Sequence, residues 1–202
     1  MQTNKFLRVA VATAMLTAAA FAADEYKIDG AHSHASFKVK HMLISTVEGR
    51  FGEVGGTIQF DEKDPTKSKV EATIKTASIT TDNENRDKHL KSADFFEVEK
   101  YPTITFKSKR VEKRGTIWVA IGDLTIKDVT KEVEMPFELN TLKTSRGTVI
   151  GATAELKINR TDYHVTWNRA LEGGGVMVSD EVKIEISIEA RPATPPPAAP
   201  AK

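Results

Sequence analysis

The sequence predicts an all-β protein: an antiparallel β-barrel of about eight strands with one short helical insertion. Three observations lead to this prediction. Apolar and polar residues alternate with a period of two over most of residues 25–190. Lys and Glu occupy the middle of the polar strand faces, as on a barrel surrounded by water. Glycines cluster where the alternation changes phase, which is where a barrel strand has to bend.

The strand signal is clearest where one parity is apolar and the other is charged or hydroxylated. Six segments show it: 35–43, 70–76, 104–107, 129–139, 150–158 and 182–189. A membrane-spanning barrel has the reverse arrangement, with an apolar outer band and a polar lumen. We therefore expect the apolar faces to point inward and the protein not to span a membrane.

Two segments depart from simple alternation. Between Val47 and Phe60 the apolar residues move from odd to even positions across Gly52, Gly55 and Gly56, which predicts a bend or bulge. In 116–126 both parities are apolar, so we expect this strand to be covered on both sides.

A helical insertion is predicted over Thr81–Phe96. Thr81 followed by Glu84 fits a capping box, and Leu90 is the main apolar residue of the following turns. Phe95 and Phe96 then add apolar bulk, so the insertion is expected to lie over one end of the barrel.

The termini are predicted to lie outside the barrel domain, residues 23–190. Residues 1–22 have the pattern of a signal peptide cleaved after Ala22, and residues 191–202 form a Pro/Ala-rich disordered tail. This predicts export, with the periplasm as the destination. The formal net charge is +1, and loss of Lys5 and Arg8 with the leader brings it to −1. That balance does not favour nucleic-acid binding.

The inward strand positions are the candidate binding site, because several are small and most others are apolar. An eight-stranded barrel is wide enough to hold a small ligand or to be filled by its own side chains. His41 is a polar exception on an inward face, able to meet a ligand's polar end or to be satisfied within the core. The candidate ligand-binding residues are Phe37, Val39, His41, Leu43, Phe51, Ile58, Phe60, Ile74, Phe95, Phe96, Ile104, Phe106, Leu124, Met135 and Phe137.

Two other kinds of site remain open alternatives. His32 and His34 have a spacing that suits a metal, although the sequence shows no third ligand. Asp87 and His89 could suggest acid–base chemistry, but residues two apart on a helix do not face each other. Cysteine is absent, and we predict no catalytic residue, no metal and no cofactor.

The chain resembles the YceI family of polyisoprenoid-binding, lipocalin-like periplasmic proteins. The resemblance covers about Tyr26 to Glu189 and rests on five segments. They are DGAHSHASFKVKHMLISTVEGRF (29–51), RDKHLKSADFF (86–96), YPTITFKS (101–108), GDLTIKDVTKEV (122–133) and INRTDYHV (158–165). The chain departs from the family pattern at Asp128 and near His164, where the family often has Gly, and at Glu132, where it often has Pro. His34 is an extra histidine.

The resemblance implies a long apolar channel inside the barrel and no catalytic residues. It predicts a protein that carries or sequesters a long polyisoprenoid or fatty-acyl lipid. A metal-binding protein, an enzyme acting on a lipid-like molecule and a filled-barrel stress protein remain alternatives, and a homodimer is open. His164 is expected to narrow or close a loop at the barrel mouth.

Overall fold

A computed structural model of the chain describes residues 23–193. The predicted signal peptide and all but the first three residues of the predicted tail lie outside this range. The described part consists of eleven strands and one α-helix. In chain order they are β1 (Asp24–Ile28), β2 (His34–His41), β3 (Ser45–Phe51), β4 (Val54–Phe60), β5 (Lys69–Lys75), β6 (Ile79–Thr80), α1 (Glu84–Lys91), β7 (Thr103–Arg114), β8 (Ile117–Ile126), β9 (Val129–Thr144), β10 (Gly147–Asn159) and β11 (Val178–Pro192).

The strands form one closed antiparallel barrel. Its order is β1-β4-β5-β7-β8-β9-β10-β11, and β11 closes the ring by pairing with β1. β2, β3 and β6 extend this sheet beyond β11. The predicted eight-stranded antiparallel barrel with a short helix is confirmed.

Three of the eight strand positions in the barrel are each occupied by two shorter strands that follow one another. β1 and β2 follow each other along β11, as Ile28 opposite Ala190 and Ala35 opposite Ile186 show. β3 and β4 pair with them and occupy a second strand position, and β5 and β6 occupy a third. The break between β3 and β4 falls at Gly52 and Glu53, where the sequence predicted a bend.

The central strand β8 is buried on both faces, as the sequence predicted. Ala120 and Leu124 face the interior, whereas Ile121 and Val119 are buried on the outside. In the pairing register Ile121 lies between Arg110 and Glu134 of the neighbouring strands. Ion pairs join these outer side chains: Arg110–Glu112 at 2.8 Å, Arg114–Glu112 at 3.0 Å and Arg114–Glu134 at 2.6 Å. Long charged side chains can cover apolar surface with their stems while the charged ends stay in water.

The insertion between β6 and β7 contains α1, as predicted, but its cap differs from the prediction. The Asn83 side chain accepts from the Arg86 backbone N–H, so Asn83 and not Thr81 caps the helix. Thr81 instead hydrogen-bonds to Asp87 and Arg86, and these contacts fasten the helix to the strand before it. In residues 23–193 we find no helix that is long and apolar enough to cross a membrane.

Candidate functional site

The barrel interior contains an apolar cavity with two lobes. The large lobe has a volume of about 460 Å³ and lies at the end covered by α1. The small lobe, about 140 Å³, lies toward the β7–β8 and β9–β10 turns. Five lining residues belong to both lobes: Ile74, Ile104, Leu124, Met135 and Ile186. The lobes are therefore neighbouring parts of one interior, of a size typical of ligand pockets.

Interior side chains around the large lobe are incompletely buried even though they point into the barrel. Phe37 and Val39 of β2, Val182 and Ile184 of β11, and Ile158 of β10 all keep intermediate exposure. A filled core would bury such residues almost completely, since protein interiors are close-packed. Their partial exposure shows that this end of the barrel is hollow.

The structure brings fourteen of the fifteen predicted binding residues to the cavity. The large lobe takes Phe37, Val39, His41, Phe51, Phe95 and Phe96; the small lobe takes Ile58, Phe60, Phe106 and Phe137; and Ile74, Ile104, Leu124 and Met135 line both. The interior position expected for Leu43 is wrong. β2 ends at His41, and Leu43 lies in the following turn with 65% of its surface exposed and φ of 63°.

Several lining residues were not among the candidates. Leu156, Ile158, Val182, Ile184 and Ile186 belong to segments whose alternation predicted inward faces, so that signal could have found them. Tyr163, Val165 and Trp167 lie after β10 in a segment with no strand period. Only the closed barrel places that segment beside the cavity.

An aromatic cluster joins the helical insertion to the segment after β10. The ring centroid of His89 lies 5.0 Å from that of Phe95 and 4.9 Å from that of Trp167, in edge-on geometry. His89 Nε2 lies 2.8 Å from Asp94 Oδ2. Phe96 packs against Phe51 at 5.5 Å. The insertion thus lies over one end of the barrel, and Phe95 and Phe96 face the cavity as predicted.

The insertion does not pair Asp87 with His89, as the acid–base alternative would require. The Asp87 carboxylate accepts hydrogen bonds from Thr80 and Thr81, and these lower its pKa against the opposing effect of desolvation. His89 is paired with Asp94, which follows the helix. Asp87 and His89 thus have separate partners.

A buried guanidinium secures the segment between β10 and β11. Arg160 is only 5% exposed, and burial lowers its pKa despite the nearby Asp180 carboxylate. Its Nε donates to the Ser179 carbonyl at 2.9 Å, and its Nη1 donates to the carbonyls of Val165 (2.6 Å) and Trp167 (2.9 Å). One side chain therefore holds both ends of this segment in place.

The polar groups around the large lobe are cationic or neutral. Lys40, Arg86 and Arg160 line it together with His41 and His89, and none of the lining residues in the described part of the chain is Asp or Glu. Arg86 donates to Thr81, Arg160 to carbonyls and Lys40 to Thr46. Within residues 23–193 the imidazole of His41 has no hydrogen-bond partner. It is therefore available to form a hydrogen bond with a ligand.

The two histidines considered for metal binding are separated by the fold. His34 lies on the outer face of β2, opposite Ser187. His32 is near Asp29 and Glu189, with the three ligand atoms within 4.8 Å of one another. Arg191 already pairs with both carboxylates, at 3.3 Å and 2.7 Å. Arg191 thus already occupies both carboxylates and offsets part of their negative charge.

The fold and cavity define a class: closed antiparallel barrels with a hollow apolar interior. A family model described as the YceI-like domain matches residues 26–190, and the chain belongs to this family. A UPF0312 protein of Staphylococcus aureus is 40% identical over 81% of this chain and 95% of its own length.

Solved structures share the barrel. A YceI protein of Campylobacter jejuni is 34% identical, with a TM-score of 0.64 over 78% of this chain and 91% of its own. Two more distant structures show the fold alone. Burkholderia cenocepacia BcnA is 23% identical, with a TM-score of 0.69 over 80% of this chain and 98% of its own length. A polyisoprenoid-binding domain from Saccharophagus degradans is 15% identical, with a TM-score of 0.63 over 85% of this chain and 99% of its own length.

Proposed function

We propose that the protein binds a long apolar lipid of polyisoprenoid or fatty-acyl type inside the barrel and carries or sequesters it. The observation behind this proposal is the two-lobed cavity with its predominantly aliphatic and aromatic lining. Family membership and the polyisoprenoid-binding neighbour support it.

Desolvation supplies the driving force for such binding. Each buried methylene contributes about 0.8 kcal/mol, so a chain of ~20 carbons gains roughly 16 kcal/mol before the costs of ordering and association. We place the lipid tail toward the small lobe and the polar end near His41, because the polar side chains lie around the large lobe. The absence of a lining carboxylate favours a neutral or anionic headgroup over a cationic one.

We further propose that the protein acts in the periplasm. The leader pattern of residues 1–22 supports export, and the interspersed surface charges suit an aqueous compartment. Mass spectrometry of the protein from a periplasmic fraction tests this, with a mature chain beginning at Ala23 expected. Recovery of the uncleaved chain from the cytoplasm alone would contradict it.

The cargo is tested by organic extraction of the natively produced protein followed by mass spectrometry. We expect about one isoprenoid or long acyl molecule per chain in the wild type, and none in Phe37→Glu or Phe106→Glu, which place a charge in the large and the small lobe. Thr153→Glu, on an exposed outward position of β10, is the matched control and should retain the lipid. A wild-type extract free of lipid, together with no uptake of added polyprenyl alcohol, would refute the proposed lipid binding.

A further inference from the structure

The barrel end that holds the large lobe also has an exposed apolar tip formed by Met42, Leu43, Ile44 and Val176. Leu43 is 65% exposed, Ile44 is 83% exposed, and Met42 and Val176 are each 38% exposed. The two segments touch: Met42 N–H donates to the Met177 carbonyl at 2.8 Å, and a Cβ placed on Gly175 would lie 3.9 Å from Leu43 Cδ1. They therefore form one patch.

Met42 and Leu43 are unfavourable residues for a turn that faces only water. Met42 and Leu43 both adopt the left-handed conformation, with φ of 52° and 63°. Turns with such angles normally use Gly, Asn or Asp, because bulky side chains are strained there. A run of three exposed apolar residues is also costly in water unless another surface receives it.

The apolar tip adjoins the cavity. His41 and Lys40 immediately precede it, Met177 and Val178 immediately follow Val176, and all four line the large lobe. A lipid leaving this end of the barrel would pass directly beside the tip. Two exposed cations adjoin it: Lys40, two residues before Met42, and Arg169, whose carbonyl accepts from Met177 N–H. The exposed Glu172 lies between Arg169 and Val176 in the chain.

The size of the tip argues against a stable protein partner as its main occupant. A standard interface covers about 800 Å² on each partner. Aromatic side chains bury about 150–250 Å² each, so four smaller and partly covered aliphatic side chains do not reach that area. A small exposed apolar surface with cations beside it instead suits insertion among anionic lipid headgroups.

We propose that the apolar tip docks the protein on an anionic lipid bilayer, so that the cargo moves between cavity and membrane without crossing water. The transfer part of this inference rests on the proposed lipid-binding function, whereas the docking part stands on the exposed patch itself.

Cosedimentation with vesicles tests the docking. We expect the wild type to bind vesicles of phosphatidylethanolamine and phosphatidylglycerol (3:1), and to bind pure phosphatidylcholine more weakly. The double variant Leu43→Ser/Ile44→Ser should lose at least tenfold in bound fraction. Ile117→Ser/Leu142→Ser is the matched control, since these residues are 51% and 65% exposed at the other end of the barrel, and it should bind as the wild type does. Equal binding by the two double variants, or no wild-type binding, would overturn the proposal.

Two further measurements separate the outcomes. Affinity for a dansylated fatty acid without vesicles should stay within twofold in Leu43→Ser/Ile44→Ser, while probe transfer to vesicles slows about tenfold. A wild type that takes up the probe but binds no vesicles refutes docking alone; one that binds vesicles but takes up no probe supports docking and refutes the cargo proposal. Light scattering that shows a wild-type dimer and a monomeric double variant would make the tip a contact between two copies and overturn docking.

Discussion

His164 Nδ1 lies 3.0 Å from Asp128 Oδ1, and this contact joins the β8–β9 turn to the segment after β10. Lys127 of the same turn donates to the His164 carbonyl at 3.1 Å. The resemblance to the YceI family implied departures at Asp128 and near His164, and the fold places these two regions against each other. The His164 side chain is 61% exposed and does not line the cavity, so it does not narrow the large lobe itself, whereas its contacts with Lys127 and Asp128 hold two loops together.

The pair makes a pH-dependent contribution to stability. Its hydrogen bond with His164 is the main reason that the pKa of Asp128 lies below its ordinary value. A carboxyl whose pKa is lower in the folded state stabilises the protein above its unfolded pKa of about 3.9, and that stability is lost as the pH falls through the folded pKa. Asp128→Asn should therefore lower Tm slightly at pH 6, with the difference from wild type closing below pH 4. A Tm difference between the two proteins that persists at pH 2 would contradict this prediction.

The backbone of His164 gives a second prediction. Its φ of 57° is left-handed, which costs a non-glycine residue about 1–2 kcal/mol, whereas an exposed ion pair stabilises little. His164→Gly should therefore raise Tm by a few degrees despite losing Asp128 as a partner, as calorimetry can show. His34→Gly is the control: it removes a side chain from an extended strand and should lower Tm. A fall in Tm for His164→Gly would mean that the pair outweighs the strain.

The alternation of the strands was enough to predict the barrel and most of its lining. Phe37, Val39 and His41 face the cavity because a strand places every second side chain on one face. Leu43 continues that parity but not the strand, and the positive φ values that end β2 have no glycine or asparagine to mark them in the sequence. Trp167 was missed because its place depends on Arg160 and on barrel closure, both contacts between parts of the chain that local patterns do not connect.

Arg160 should be essential for the order of the segment between β10 and β11. Its guanidinium is buried and donates to several carbonyls, so its removal leaves those acceptors without a partner. We expect Arg160→Met to cost about 3–5 kcal/mol in the free energy of unfolding. Chemical denaturation measures that loss, and limited proteolysis should show faster cleavage within residues 166–177.

The matched control is Arg146→Met, which changes an exposed arginine in the β9–β10 turn and should stay within about 0.5 kcal/mol of wild type. Arg160→Lys keeps the charge but not the planar fork, so it should be intermediate. Wild-type protease resistance in a folded Arg160→Met variant would show that other contacts hold the segment.

Two mid-strand glycines should respond in opposite directions to the same substitution. A Cβ on Gly122 would collide with the Lys107 carbonyl and lie 2.6 Å from Ser108 Cα, beside the register shift between β7 and β8. A Cβ on Gly151 would meet nothing closer than 3.9 Å. We expect Gly122→Ala to destabilise by about 2 kcal/mol or more, and Gly151→Ala to be neutral or to stabilise by up to about 1 kcal/mol. Similar unfolding curves for the two variants would refute the close-contact explanation.

The length of the cargo should depend on the small lobe. Ala152 lines this lobe, which at about 140 Å³ has little room for a larger side chain, whereas Thr153 is the next residue of β10 and points outward. Ala152→Trp should reduce affinity for an acyl chain of about 20 carbons at least tenfold and leave one of about 10 carbons nearly unchanged. Thr153→Trp should change neither affinity, as measured by displacement of a fluorescent fatty acid.

Overpacking can also unfold a barrel, so the Tm of each variant has to be measured alongside binding. Ala152→Leu provides a milder block, for which we expect the same direction of effect at smaller magnitude. If a folded Ala152→Trp variant lost affinity for both the long and the short acyl chain, the small lobe would also determine the shape of the large one. Unchanged affinity for the long chain would mean that the tail stays within the large lobe, since a tail reaching Ala152 could not coexist with the indole.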